Sequence, residues 1–354
     1  MIRDIRLQHF RSYADATFVM DAGVNIIVGP NASGKTNLLE AVLVVARGSS
    51  YKAKDAELVQ FGSEWARLDA HVVGVPEGGP QLRTVKIKTT GAPSKAFEFD
   101  GQVLTRLHQS RMLPTVLFEP NHLLLLSGSP DLRRTFLDDL IEQTEPGFGN
   151  IRRHYRRVLA QRNSLLKKHP ADLHQQLFVW NVRLSELGGQ IAKRRQALVE
   201  RFNTLAPELY RNLSGRKNAV ILTYASRFNL EAYESQLLHK LEASTELDML
   251  RGFTAYGPHR DDLVVSMDGH PLQDTASRGE TRTLVLALKI IELQLVEAVH
   301  DAKPLLLLDD VFSELDAERR QALTKHAGIY QTLITTTDAD VVAHYFKHSN
   351  RISL

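Results

Sequence analysis

Gly29–Thr36 reads GPNASGKT. Gly29, Gly34, Lys35 and Thr36 fill the pattern G-x-x-x-x-G-K-[ST]. The apolar run Val24–Val28 precedes it, and Leu38, Leu39, Val42, Leu43, Val45 and Ala46 follow at helical spacing. This is the strand–loop–helix setting that a phosphate-binding loop requires. The glycines let successive backbone N–H groups curl toward phosphate oxygens, and the start of the helix adds partial positive charge. Lys35 is placed to reach the β- and γ-phosphates of a triphosphate, and Thr36 to ligate Mg²⁺. The plain alternative is a glycine-rich turn carrying a solvated lysine.

A second stretch completes the motif. Leu305–Asp310 reads LLLLDD, a buried strand that delivers two carboxylates at its C-terminal edge, where open α/β sheets bind ligands. Asp309 suits Mg²⁺, and Asp310 is placed to polarise a water attacking a γ-phosphate. As an alternative, both acids cap the helix near Ser313. Between the two stretches, Thr275–Thr281 reads TASRGET and opens a helix. Ser277 with Glu280 three residues on makes a capping box. In the functional alternative Ser277, Gly279 and the helix N-terminus bind an anion.

The rest of the chain supports a discontinuous α/β protein. Ile2–His9, Ala16–Val19, Arg67–Val75, Leu82–Thr89 and Lys95–Phe99 read as strands, with turns at Glu77–Pro80 and Asp100–Gly101. From Pro130 to Leu250 the period becomes helical. Ile151, Tyr155, Val158, Leu159, Leu165 and Leu166 form one stripe, and Trp180, Leu184, Leu187, Ile191, Leu198 and Phe202 a longer one, with His169–Pro170 as the tip of the hairpin. Strand character returns at Leu263–Met267, then a helix over Gly279–Val299, the strand Pro304–Leu308, a helix over Ala317–Ala327 and a strand over Gln331–Thr336. We therefore expect an ATPase head over 1–127 and 252–354 and a helical arm over 128–251. The insert of about 120 residues gives a hairpin only ~60–75 Å long at 1.5 Å per residue, which excludes a long coiled coil.

Composition sets few further limits. The 354 residues are 43% apolar and 24% charged, ordinary for a globular protein. No apolar run reaches the ~18 residues of a membrane span. The opening MIRDIRLQHF alternates like a strand rather than a signal peptide. The chain has no cysteine, which excludes disulfides and thiolate metal sites and fits the cytoplasm. The net charge of +3 permits a nucleic-acid partner without requiring one.

Charge distribution is more telling. Ile151–Pro170 carries Arg152, Arg153, Arg156, Arg157, Arg162, Lys167 and Lys168 and no acid; Lys193, Arg194 and Arg195 form a second cluster. Most lie off the apolar stripe, so the arm is expected to present a basic face, either solvated or bound to phosphate backbone in a sequence-independent way. Lys52 and Lys54 are a weaker DNA-binding candidate. No aromatics are interleaved in the manner of a single-strand platform, so duplex or a single-strand/duplex junction is the better match. His344 and His348 share helical spacing but have no third ligand near them.

Taken together, these motifs resemble the ABC-type ATPases. The loop Gly29–Thr36, the signature Ala276–Glu280, the acid-tipped strand Leu305–Asp310 and SELD at Ser313–Asp316 stand in the family's order. Within that group the chain is similar to the RecF family of the SMC-like branch, through HFRSY (His9–Tyr13), GPNASGKTNLLEA (Gly29–Ala41), GSPDLRRTFLD (Gly128–Asp138), GPHRDDL (Gly257–Leu263), ASRGETR (Ala276–Arg282) and LLLDDVFSELD (Leu306–Asp316). The resemblance implies an ATP- and Mg²⁺-dependent homodimer in which the signature of one copy covers the nucleotide of the other. It also implies DNA binding, slow ATP hydrolysis, and help in loading RecA together with RecO and RecR. The implied nucleotide contacts are Gly29, Pro30, Asn31, Ala32, Ser33, Gly34, Lys35, Thr36, Asn37, Arg11, Ser277, Arg278 and Gly279.

Some positions depart from the broader superfamily. Glu280 replaces the usual signature glutamine and Asp310 the usual glutamate, while Thr335–Thr337 stands where transporters carry a switch histidine. Phe118–His122 (FEPNH) stands at the Q-loop position, with Asn121 where an acid is usual. His259 and Arg260 are left open between nucleotide, dimer interface and fold.

Overall fold

The structure is a computed structural model that describes residues 1–74, 80–170, 172–300 and 302–354. The expected end of a strand at Val75 and the turn residues 77–79 fall outside these. The chain divides into two compact units, Met1–His122 with Glu292–Leu354, and Leu123–Ile291. The stretch 252–291, expected with the head, thus shares a compact unit with the arm.

Among the described residues the strands are β1 (Ile2–Phe10), β2 (Tyr13–Val19), β3 (Val24–Val28), β4 (Trp65–Val72), β5 (Gln81–Lys88), β6 (Ser94–Phe99), β7 (Gln102–Leu104), β8 (Thr115–Phe118), β9 (Val220–Ala225), β10 (Asp262–Met267), β11 (His270–Pro271), β12 (Leu305–Asp309), β13 (Thr332–Thr336) and β14 (Ser349–Ser353). In the first unit an antiparallel sheet runs β2-β1-β4-β5-β6-β7, and a parallel sheet runs β14-β3-β13-β12-β8. Every residue of β12 and β13 is buried, as expected of central strands in a parallel sheet. The helix Lys35–Arg47 buries nearly its whole length. Its Leu38, Leu39, Val42 and Val45 join Ile5 and Leu68 of one sheet and Ile27 and Leu307 of the other in a single core. That packing explains why this helix reads as apolar all round.

The parallel register sets up the site. Asp309 pairs with Thr335, and Thr335 with Ile27, so the carboxyl ends of β3, β12 and β13 lie side by side. The loop after β3 leaves from that same edge.

The second unit joins the helices Phe148–Lys168 and Leu173–Ser214, which pair through the turn at His169, to a small antiparallel sheet β11-β10-β9. Strand β9 interrupts the span expected to be helical. It was illegible because its pairing partner, β10, lies far along the chain (Leu263↔Tyr224), and a six-residue apolar run cannot be assigned by period alone. This pairing is also what holds 252–291 to the arm.

Candidate nucleotide site and basic arm

The phosphate loop is shaped by its neighbours. Gly34 has φ +104°, and a Cβ there would lie 2.8 Å from Tyr13 Oη and 2.9 Å from Ser12 Oγ. The position therefore requires glycine, for both its backbone and its lack of a side chain. Tyr13 donates to the Gly34 carbonyl at 3.0 Å, and Asn37 donates to Ser12 Oγ at 2.9 Å. The HFRSY turn thus braces the loop from outside. Gly29 lets Ser33 fold close, since a Cβ there would be 2.6 Å from Ser33 Oγ. Pro30, Asn31 and Ala32 form the exposed crest.

Three features of this loop suit it to an anion. The helix that starts at Lys35 has no side-chain cap, so its first-turn amides have no partner within the helix. Ser33 Oγ is buried and makes no hydrogen bond. Lys35, 8% exposed, folds its ammonium back onto the carbonyls of Gly29 and Pro30, each at 2.8 Å. Donors gathered in one short loop with no acid among their partners suit a phosphate.

Asp309 is the most densely bonded side chain of the region. Its Oδ1 accepts from Thr36 Oγ1 and Thr335 Oγ1, both at 2.9 Å. Its Oδ2 accepts from Tyr51 Oη at 2.8 Å and Lys52 Nζ at 3.1 Å. Burial alone would raise its pKa, but Tyr51, Lys52 and Thr36 outweigh that and hold the carboxyl below its ordinary value. Burial and the facing Asp309 push the Tyr51 phenol well up. The sequence placed Thr36 and Asp309 together and Thr335 at the switch position, but missed Tyr51, which only the fold of the post-helix loop brings in. Lys52, read as a DNA-binding candidate, instead rests on Asp309. Thr36 Oγ1 and Asp309 Oδ1 form the hydroxyl–carboxylate pair that a hard divalent cation takes, so the residues present fit Mg²⁺.

Asp310 has a left-handed backbone, φ +53°, uncommon for a residue with a side chain. Its N–H donates to Thr335 Oγ1 at 2.9 Å, and its carboxylate accepts from Ser313 at 3.0 Å. Arg11 is bound twice by the buried carboxylate of Glu40, at 2.7 and 2.9 Å, and also donates to the Glu57 carbonyl at 3.0 Å. In this structure it clamps the turn to the first helix.

In the second unit the signature closes on itself. The Ser277 N–H donates to Glu280 Oε2 at 2.8 Å, the Glu280 N–H donates to Ser277 Oγ at 3.2 Å, and Glu280 also pairs with Arg216. The capping box is therefore formed, and the acid at the signature position is turned back onto its own helix start and onto Arg216. The Ser277 N–H, its hydroxyl and Arg216 hold the Glu280 carboxyl below its ordinary value.

The expectation that most of these cations form a basic face on the arm is corrected for several of them. Arg162 is fully buried and donates to Asn181 (2.7 Å), Asp248 (2.8 Å) and Thr254 (2.8 Å). Arg195 is buried on Asp138, at 2.8 and 3.0 Å. Arg152 pairs with Asp138, Asp139 and Glu142, Arg194 with Glu145 at 3.1 Å, and Lys193 with Glu234 at 3.7 Å. Arg153 lies 3.7 Å from Glu142. The partner acids come from other segments, so a window holding only cations looked uncompensated. Arg156 and Arg157 are exposed and have no salt-bridge partner among the described residues.

GPHRDDL serves mainly the fold. His259 meets the Tyr155 hydroxyl at 2.6 Å and the Thr254 carbonyl at 3.1 Å, and burial pushes its pKa down to about 4. Asp261 accepts from Tyr224 and Tyr233, each at 2.8 Å, and Asp262 holds Arg133 by two bonds of 2.8 Å. Arg260 stays exposed over Phe253.

Residues 1–352 match the RecF/RecN/SMC N-terminal domain family. The "DNA replication and repair protein RecF" of Synechococcus sp. (strain JA-3-3Ab) is 38% identical over 351 residues, 95% of this chain and 91% of the relative. The chain belongs to the RecF family. The protein of the same description from Heliobacterium modesticaldum is 36% identical over 95% of this chain and 92% of its own length. Among solved structures, the "recombination mediator protein RecF-ATP in RecFOR pathway" is similar at TM-score 0.84 and 28% identity, covering 95% of this chain and 92% of that one. An Smc head domain from Pyrococcus furiosus, with TM-score 0.54 and 16% identity over 97% of this chain and 91% of that one, shares the fold. The architecture is accordingly an SMC-head-like P-loop ATPase fold with an inserted helical arm. No helix among the described residues is long and apolar enough to cross a membrane.

Proposed function

We propose that this RecF-type replication and repair protein binds ATP with Mg²⁺ at GPNASGKT, pairs with a second copy when it does so, and in that form holds DNA at a gap or single-strand/duplex junction. The observation that carries the reading is the phosphate loop itself. It combines an uncapped helix start, a Ser33 hydroxyl with no hydrogen bond and a Lys35 ammonium held only by carbonyls, and its Thr36 is bonded to Asp309.

In this reading Gly29–Asn37 cradle the phosphates, and Thr36 with Asp309 holds Mg²⁺, which when bound neutralises charge on the phosphate oxygens. Asp310 orients the attacking water, and Ser277, Arg278 and Gly279 of one copy cover the nucleotide of the other. Arg11 reaches nucleotide only by leaving Glu40. The ATPase function draws on 1–127 and 252–354, with 128–251 as the arm, although 252–291 packs in one compact unit with that arm. On the arm, Arg156 and Arg157 meet DNA phosphates, with Arg152, Arg153, Lys193 and Arg194 contributing only where DNA displaces their present acids. The relative solved with ATP and placed in the RecFOR pathway supports extending the role to RecR and RecO as partners and to the loading of RecA, in the cytoplasm.

The test is sedimentation velocity with and without ATP, paired with DNA retention. The intact chain should shift from monomer to dimer and hold DNA with ATP; Lys35→Met should do neither. An unchanged sedimentation coefficient with ATP at high protein concentration would sink the proposal. A second reading, in which ATP is dimer glue and hydrolysis is incidental, is favoured by the Ser313 bond that engages the Asp310 carboxylate. Under it, Asp310→Asn slows single-turnover hydrolysis while leaving the rate of DNA dissociation unchanged.

A further inference from the structure

Asp309 ends β12 and is 3% exposed. An ionised carboxylate has about four acceptor sites, two on each oxygen. Of those on Asp309 Oδ1, one takes the Thr335 hydroxyl at 2.9 Å. Thr335 is the register neighbour of Asp309 across the parallel sheet, and its hydroxyl oxygen also accepts the Asp310 N–H. On Oδ2 both sites are filled, by Tyr51 Oη at 2.8 Å and Lys52 Nζ at 3.1 Å. The site that is left is the one on Oδ1 that faces Thr36 Oγ1.

The two groups on Oδ2 come from an anchored loop. Ser50 Oγ accepts the N–H groups of Lys52, at 2.9 Å, and Ala53, at 3.0 Å, and donates to Glu40. Glu40 is the buried acid of the helix Lys35–Arg47 that also holds Arg11. The Lys52 ammonium lies 4.8 Å from the centre of the Tyr51 ring, so the two side chains that close Oδ2 also support each other. An ammonium has no lone pair to offer a cation.

Closing Oδ2 limits how Asp309 meets a metal, because one oxygen is left for it. Mg²⁺ tolerates this well: it keeps several waters and uses one or two carboxylates besides phosphate. Ca²⁺ takes about six to eight oxygens and gains from a carboxylate that offers both of its own.

We propose that Tyr51 and Lys52 are positioning residues that set the metal preference of the site: by closing Oδ2 they hold Asp309 to contact through one oxygen and favour Mg²⁺ over Ca²⁺. The inference rests on the reading of Thr36 and Asp309 as the Mg²⁺ pair and adds to it the choice of metal.

The experiment is calorimetric titration of ADP into the intact chain and its variants at graded Mg²⁺ or Ca²⁺. For each metal it gives the concentration that half-saturates the tightening of ADP binding. The ratio of the two concentrations is the readout, because Lys52→Met also removes a repelling charge and should tighten both metals alike. In the double variant Tyr51→Phe with Lys52→Met the ratio should move toward Ca²⁺ by about tenfold, the size expected when a partner of a ligating group is removed. Tyr51→Phe alone, which keeps the ring and the ammonium, should move it the same way by less. ADP binding without metal reports that each variant is folded, and Tyr51→Phe decides the matter if the double variant is not. A ratio that stays at the parent's value, even with both metals weakened, marks the pair as structural and overturns the proposal while leaving the Mg²⁺ reading intact. A parent whose ADP binding ignores both metals would bring down that reading, and this inference with it.

Discussion

The phosphate-loop region and the arm are both rich in charged side chains, and they use them in opposite ways. Within the loop the donors have no acid: the Ser33 hydroxyl makes no hydrogen bond, Lys35 donates only to carbonyls, and the helix start has no side-chain cap. In the arm the charges are consumed internally, as Arg162 on Asp248, Arg195 on Asp138 and Arg152 on three acids show. Density of charge is thus a poor guide to a binding site. Charge whose partners are missing is a better one, because an unmet buried donor has a cost that a ligand can offset.

The largest expected effect would break the arm's side of this comparison. Arg162→Ala leaves Asp248 buried and unpaired, so it should destabilise the protein by about 3–5 kcal/mol in denaturant titration. A loss under about 1 kcal/mol would return Arg162 to the class of solvated arginines. On the loop's side, Gly34→Ala places a Cβ against Tyr13 and Ser12 and a side chain at φ +104°. It should cost about 1–3 kcal/mol and abolish nucleotide binding, which equilibrium dialysis would read.

A smaller, pH-gated effect sharpens the arm's dependence on buried polar bonds. The folded pKa of His259, about 4, lies below its ordinary 6.5. Its contribution is therefore fully present above pH 6.5 and is lost as the pH falls toward and through about 4. Unfolding free energy measured across that window should decline, and His259→Gln should flatten the decline. The smallest effect is expected at the signature. Glu280→Gln loses the pair with exposed Arg216 but keeps the capping bonds to Ser277, so stability should change by under about 1 kcal/mol. A larger change would mean that the acid holds more than its own helix start.

Much of the molecule is legible in its sequence. Val24–Val28 and Ala317–Ala327 form where the pattern puts them, and the Asp268–Gly269 turn falls between β10 and β11. What stays hidden has a common cause: β8, β9 and β14 are short strands whose identity comes from distant partners. At the site, Tyr51 carries no local signal, because a hydroxyl bonded to Asp309 looks like any other hydroxyl in the sequence.

The sequence by itself determined the phosphate loop, the acid-tipped strand, the capping box at Ser277 and the helical insert, because each rests on local spacing: glycines where the backbone must curl, a period of 3.6, a cap three residues from its acid. Only the tertiary structure decided which charges are free. That choice depends on acids far along the chain, such as Asp138 for Arg195 and Asp248 for Arg162. Long-range pairing energy has no signature in a window of neighbouring residues.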